Sequence, residues 1–138
     1  MSEDSRARPS EVLLDTHTLL WFDTDPDKLP EQVLNLLRDR DVRVMVSSIT
    51  AWEFSIKHRL GKLPEAEGLI HEYHQSLAQY GFGELPFTSV HALAEGGLEQ
   101  LHKDPFDRAL AAQAVSEQLV LVSSDEAFAE VPLSLWWG

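Results

Sequence analysis

The chain contains no cysteine, which excludes a disulfide framework, a thiolate zinc site and a cysteine nucleophile together. It has no apolar run near the roughly 18 residues of a membrane span. Its first eleven residues, MSEDSRARPSE, lack the apolar segment of a signal peptide. These absences set a soluble, cytoplasmic protein as the expectation. Basic charge is also scarce: 11 Lys and Arg stand against 23 Asp and Glu, a formal net charge of −12. A protein that grips nucleic acid through its phosphates normally presents a basic surface. Taken alone, this balance points away from nucleic acid and toward a basic protein partner or a bound cation. A charge sum does not separate acids spread over a surface from acids gathered in one pocket, so their location decides.

What is present is the material of one folded domain. The 138 residues are 43% apolar and include four tryptophans, and a chain of this size buries about two thirds of its unfolded surface. Residues 1–10 read as a flexible leader and 11–138 as the domain, without repeats or low-complexity segments. VLLD (12–15) is a short apolar run ending in an acid, as expected of a buried strand, and THTLLWF follows as a short helix. DTDPDKLP is a turn-rich loop, and PEQVLNLLRDR is an amphipathic helix with Val33, Leu34 and Leu37 on one side. VRVMVSS (42–48) reads as a strand, and ITAWEFSIKHRLG as a helix closed by Gly61. Residues 65–80 are weakly patterned helix, FGELPF holds a short strand, and a helix runs from near Ser89 to about Glu99. A helix at PFDRALAAQAVSEQ, a strand at LVLVSS (119–124) and a short element at VPLSLWW complete the chain. Strands that alternate with helices and are apolar throughout imply an α/β fold with a parallel sheet covered on both faces. Ligands of such sheets sit beyond the carboxyl ends of the strands, where two strands here deliver Asp15 and Asp125.

Two further acids lie on unexpected helix faces. On a wheel of about 100° per residue, Glu53 falls about 40° from Ile49, inside the arc of Ile49, Trp52, Ile56 and Leu60. Burying an unpaired carboxylate costs several kcal/mol, so Glu53 needs a cation or hydrogen-bond donors, or an Arg or Lys at the helix edge. Asp107 heads a stripe formed by Leu110, Ala111 and Ala114, small enough to bring the helix close to the sheet, while Arg108 points to the rim. Asp104, directly before Pro105, is placed as the N-cap. An acid in the first turn, as Asp107 is, also favours the helix dipole. Asp15, Glu53, Asp107 and Asp125 thus come from four elements aimed at one end of a sheet. Such carboxylates share a pocket only with raised pKa values or bound cations. All-oxygen ligands suit Mg²⁺, with Mn²⁺ as substitute, better than zinc. An ion of this kind activates water and clamps a phosphate. The residues alone do not identify the substrate.

The segments LLDTHTLLWF, SSITAWEFSIKHRLGKL, LPFTSVHAL, HKDPFDRALAAQA and LVLVSSDEAF closely resemble the VapC-type toxins of the PIN-domain family, from about Val12 to Trp136. The resemblance implies a three-layer α/β/α domain with a mainly parallel sheet and a Mg²⁺-dependent endoribonuclease activity. It places the acidic site on Asp15, Glu53, Asp107 and Asp125, with Asp104 as an additional acid of the DPFD motif. It assigns Thr16 and Ser123 to orienting ligands or water, or else to satisfying strand-end backbone groups. It also implies a cognate antitoxin that fills the site with a basic segment, and a toxin homodimer. With one or two divalent ions held, the charge rises to roughly −10 to −8. RNA affinity then depends on the metal and on local basic residues, for which Lys57, Arg59, Lys62, Lys103 and Arg108 are candidates. His17 and His102 lack metal-ligand spacing and are not required as acid or base. Trp21, Trp52, Trp136 and Trp137 are expected in the core or at an interface. Two rival readings are an aspartyl-nucleophile phosphatase, which usually wants a second acid where His17 stands, and a non-catalytic PIN-like module that binds a basic partner.

Overall fold

The computed structural model describes residues 8–98 and 104–137. Residues 1–7 of the expected leader lie outside the described residues. The end of that segment is engaged: Arg8 pairs with Asp39 at 2.5 Å, and the Ser10 carbonyl accepts from the Arg43 N–H at 2.9 Å. Five strands, β1 (Glu11–Leu14), β2 (Arg43–Ser47), β3 (Gly83–Leu85), β4 (Val120–Val122) and β5 (Ser134–Trp136), form one sheet in the order β3-β2-β1-β4-β5. Every neighbouring pair is parallel. The expected α/β architecture is therefore present, and the last short element is its edge strand.

Among the described residues, seven α-helices accompany these strands: α1 (Thr16–Thr24), α2 (Glu31–Arg38), α3 (Ser48–Arg59), α4 (Glu67–His71), α5 (Tyr73–Tyr80), α6 (Ser89–Glu95) and α7 (Pro105–Glu117). The strand order decides which face each helix covers. The steps from β1 to β2 and from β2 to β3 move across the sheet in one direction, and a right-handed crossover places their helices on the same side. The chain then returns over the sheet to β4, which places α6 and α7 on the other side. The two cores follow this division. Val12, Leu14, Val44 and Val46 point into one with Leu19, Leu36, Phe54, Leu69 and Leu77. Leu13, Met45 and Leu121 point into the other with Leu110, Ala111, Ala114 and Phe128. Burial on both faces is why β1 and β4 read as unbroken apolar runs.

Several element boundaries differ from expectation for local reasons. α6 ends at Glu95 because Gly96 and Gly97 follow, and Glu99 lies outside the described residues. The weak pattern of 65–80 is two short helices broken at Glu72, whose φ of −120° and ψ of 35° are not helical. Gly61 closes α3 in the left-handed region, at φ 77°. The inner face of α3 is turned from the expected arc: Ile49, Thr50, Glu53 and Phe54 are buried, whereas Trp52 and Leu60 are each 57% exposed. Phe54, fully buried in the core, marks this inner face, and on it the Thr50 hydroxyl meets that of Thr16 at 3.1 Å at the start of α1.

The alanine stripe of α7 is what brings that helix close to the sheet. Ala111 is fully buried, so Ala111→Leu should destabilise the protein by about 1–3 kcal/mol through overpacking. Urea unfolding of the two proteins measures the loss, and an unchanged midpoint would show that the α7 contact is looser than described.

Candidate active site

The strand order reverses between β1 and β4, and such a switch point opens a crevice beyond the strand ends. Asp15 stands there at the end of β1, only 7% exposed. Its backbone N–H donates to the Val122 carbonyl of β4 at 3.1 Å. Its carboxylate caps α1, accepting from the Thr18 N–H at 2.9 Å on Oδ1 and from the Ser123 hydroxyl on Oδ2. Burial pushes the Asp15 carboxyl up, against the Ser123 and Thr18 hydrogen bonds, which favour its charged form.

Ser123 joins two acids. While donating to Asp15, it accepts from the Asp125 N–H at 3.0 Å. Asp125 itself is exposed and caps the following 3-10 turn by accepting from the Ala127 N–H at 3.0 Å. The orienting role expected of Ser123 thus has a direct geometric basis. Thr16 does not share it: its hydroxyl bonds Thr50, and it is Thr18 that reaches Asp15. The signal for Thr18 was its place three residues after an acid at a helix start, where an N-cap finds its donor.

From the opposite layer, α7 contributes Asp104 and Asp107. Asp104 is the N-cap, accepting from the Phe106 and Asp107 N–H groups at 2.8 and 3.3 Å. Asp107 follows at the head of the buried face, with Leu110, Ala111 and Ala114 behind it. Its carboxyl is pushed up to about 8 by burial first, then by the charges of Asp104, Glu53, Asp15 and Asp125. The four expected site acids and Asp104 therefore share one electrostatic neighbourhood, centred on Asp107. Among the described residues, no three Asp, Glu or His side chains are already drawn together as a ligand set for one metal ion.

Glu53 enters from α3 and is almost fully buried. One of its oxygens, Oε2, pairs with Lys57 Nζ at 2.5 Å, the helix-edge partner that was one of the two expectations for this residue. The other, Oε1, is buried without a hydrogen-bond partner. Lys57 also lies 3.7 Å from Asp104 Oδ2 and 5.7 Å from the Phe106 ring centre. Burial opposes its charge, but the hydrogen bond to Glu53 and the charges of Glu53, Asp104 and Asp107 outweigh burial and hold its pKa above the ordinary lysine value. Lys57 is thus inside the site rather than a rim charge, as its position one turn after Glu53 allows.

The remaining candidates divide. Arg108 is taken up by Glu95, with its Nε 2.5 Å from the carboxylate, and Arg59 and Lys62 are exposed. Lys103 and His102 lie outside the described residues. His17 is exposed, its ring 5.8 Å from that of Trp21. Trp21, Trp136 and Trp137 pack against the first core. Exposed Trp52 stands edge-on to Phe106 and lines a cavity of about 340 Å³ with Phe87, Pro105 and Ala109.

A family model described as the PIN domain matches residues 12–133. No curated protein matches the chain. Among solved structures, VapBC2 from Rickettsia felis, bound to a DNA fragment from its promoter, shares the fold with a TM-score of 0.66 at 18% identity, covering 91% of this chain and 97% of that one. FitAcB from Neisseria gonorrhoeae gives a TM-score of 0.63 at 22% identity, covering 91% and 96%. DNA-bound VapBC from Salmonella typhimurium gives 0.60 at 22% identity, covering 94% and 100%.

The raised Asp107 carboxyl has a consequence for the metal-free protein. A carboxyl whose folded pKa is about 8, against an ordinary 3.8, binds more protons folded than unfolded between those values. Its contribution to stability is complete below about pH 4 and is lost as pH rises toward 8. In chelator, Asp107→Asn should therefore flatten the decline of unfolding free energy between pH 4 and 8. A wild-type and variant difference that stays constant across this range would remove Asp107 as the responsible group.

Proposed function

The chain belongs to the PIN-domain family, and from that premise we propose that it is the toxin of a toxin–antitoxin pair, a Mg²⁺-dependent endoribonuclease. The observation that carries this reading is the convergence of Asp15, Glu53, Asp107 and Asp125 on the neighbourhood of Asp107 at the switch point of the sheet. The residues suit a hard divalent ion. The donors are all oxygens, burial together with the neighbouring acids lifts Asp107 to about 8, and Glu53 Oε1 is buried without a partner. Mg²⁺ is commonly held by one or two carboxylates with waters and substrate phosphate filling the other positions, so a fully gathered cage is not required. Asp15, Asp107 and Asp125 would hold the ion, or Mn²⁺ in its place, and Glu53 would be a further ligand or orient the attacking water. When bound, the ion would supply a water more acidic than bulk water and a clamp on the phosphate.

The chain's own groups do the positioning. Ser123 aims Asp15 with its hydroxyl and fixes the backbone that carries Asp125. Asp104 caps α7 and so sets the direction of Asp107. Asp107, its carboxyl pushed up to about 8 by burial first and then by the neighbouring acids, would have to lose its proton to serve as a ligand. The phosphatase alternative is disfavoured because the second position after Asp15 is His17, whose exposed ring lies by Trp21.

The partner reading rests on charge and on the relatives. Two of the three structures above are bound to DNA, and a further structure of the same fold is a toxin–antitoxin complex from Klebsiella pneumoniae. A cognate antitoxin with a basic segment fits a chain of net charge −12 that gathers five of its acids at one crevice. We place the protein in the cytoplasm as a homodimer. Among the described residues, no helix is long and apolar enough to cross a membrane.

Asp15→Asn and Asp107→Asn should each abolish RNA cleavage and toxicity on induction while the protein stays folded, and Ser123→Ala should lower cleavage by about 10–100-fold. Mapping new RNA 5′ ends after induction measures all three. Ends that persist undiminished in Asp107→Asn would refute the nuclease. Tight antitoxin binding without cleavage under any divalent metal would identify a binding module instead.

A further inference from the structure

Among the described residues, Lys57 is the cation paired with the site's carboxylates, a place that its expected part in RNA affinity does not account for. Its Nζ is 2.5 Å from Glu53 Oε2 and 3.7 Å from Asp104 Oδ2, acids from opposite layers of the fold. It is three-quarters shielded from solvent, so its field reaches those acids with little screening. The pair is incomplete: the ammonium satisfies one oxygen of Glu53 and leaves buried Oε1 without a partner. A buried acid of this kind is served better by a ligand that can engage both oxygens than by a single ammonium on a flexible stem.

We propose that Lys57 is the resident counter-cation of the metal-free centre, held by Glu53 and Asp104 and given up when a divalent cation enters. This rests on reading the carboxylates as a metal centre. Lys57 is then a positioning residue that sets how readily the centre loads. It keeps Glu53 in place while the site is empty of metal, and its positive charge opposes the arrival of a second cation among the same acids. The four-carbon stem allows the ammonium to withdraw toward the Phe106 ring, already 5.7 Å away, without any movement of α3.

Two substitutions separate this from an ordinary stabilising ion pair. Lys57→Gln keeps a donor for Glu53 but removes the charge, whereas Lys57→Arg keeps the charge and adds a fork able to engage both Glu53 oxygens. The measurement is the Mg²⁺ concentration that half-saturates the rise in melting temperature, at constant ionic strength, beginning from chelator-treated protein. Lys57→Gln should melt lower than wild type without metal and need about tenfold less Mg²⁺. Lys57→Arg should need several-fold more, an arm that remains informative should the glutamine variant fail to fold. If both variants load at the wild-type concentration, Lys57 is only a structural partner of Glu53 and the proposal falls. If neither Mg²⁺ nor Mn²⁺ shifts the melting of wild type or variants, the metal-centre reading itself falls and takes the proposal with it.

Discussion

The repulsion among Asp15, Glu53, Asp104, Asp107 and Asp125 is the constraint on which the rest of this structure depends. Burial first, and then the like charges gathered around it, raise the Asp107 carboxyl to about 8, and a chain free to relax would move those charges apart. Each acid is prevented from doing so by its own local geometry. Asp15 is locked by Thr18 and Ser123, Asp104 by the first turn of α7, and Asp125 by the turn it caps. Glu53 is kept in by Lys57. The same backbone N–H groups that need caps at helix starts therefore serve as anchors for acids that would otherwise separate.

The topology makes this concentration possible. Strand order β3-β2-β1-β4-β5 puts the reversal between β1 and β4, so the ends of those strands carry Asp15 and the Ser123–Asp125 pair side by side. Helices on the two faces then supply the others, α3 from one layer and α7 from the other. Small residues in α7 matter here for distance rather than for burial area: Ala111 and Ala114 let Asp107 approach the strand ends. A site assembled from both layers also makes its charge balance a property of the whole fold, which is why one lysine on α3 touches acids belonging to both.

Much of this was legible in the sequence because two simple periods carry it. Unbroken apolar strands gave away a sheet buried on both faces, and the wheel separated inward Asp107 from capping Asp104. Proline at the first helical position strengthened that separation, and the observed cap confirms it. Glu53 was found for a partly mistaken reason. The apolar arc through Trp52 and Leu60 is not the buried face; Phe54 and the Thr16–Thr50 contact lie on the inner side of α3, and Glu53 is nearer the middle of that side than the arc indicated. That contact joins residues 34 positions apart, and no local pattern encodes it. Lys57 was misjudged for the same reason, since rotating the helix carries it inward together with Glu53. Ser123 was legible as a strand-end hydroxyl, but its double duty toward Asp15 and Asp125 follows only from strand pairing.

The central claim is that these carboxylates are held together for a divalent cation. The most direct measurement is an anomalous difference map from crystals of the protein soaked in Mn²⁺. The account predicts a peak bounded by the carboxylates of Asp15, Asp107 and Asp125. A fully occupied Mn²⁺ peak elsewhere on the surface, with none at this crevice, would contradict it.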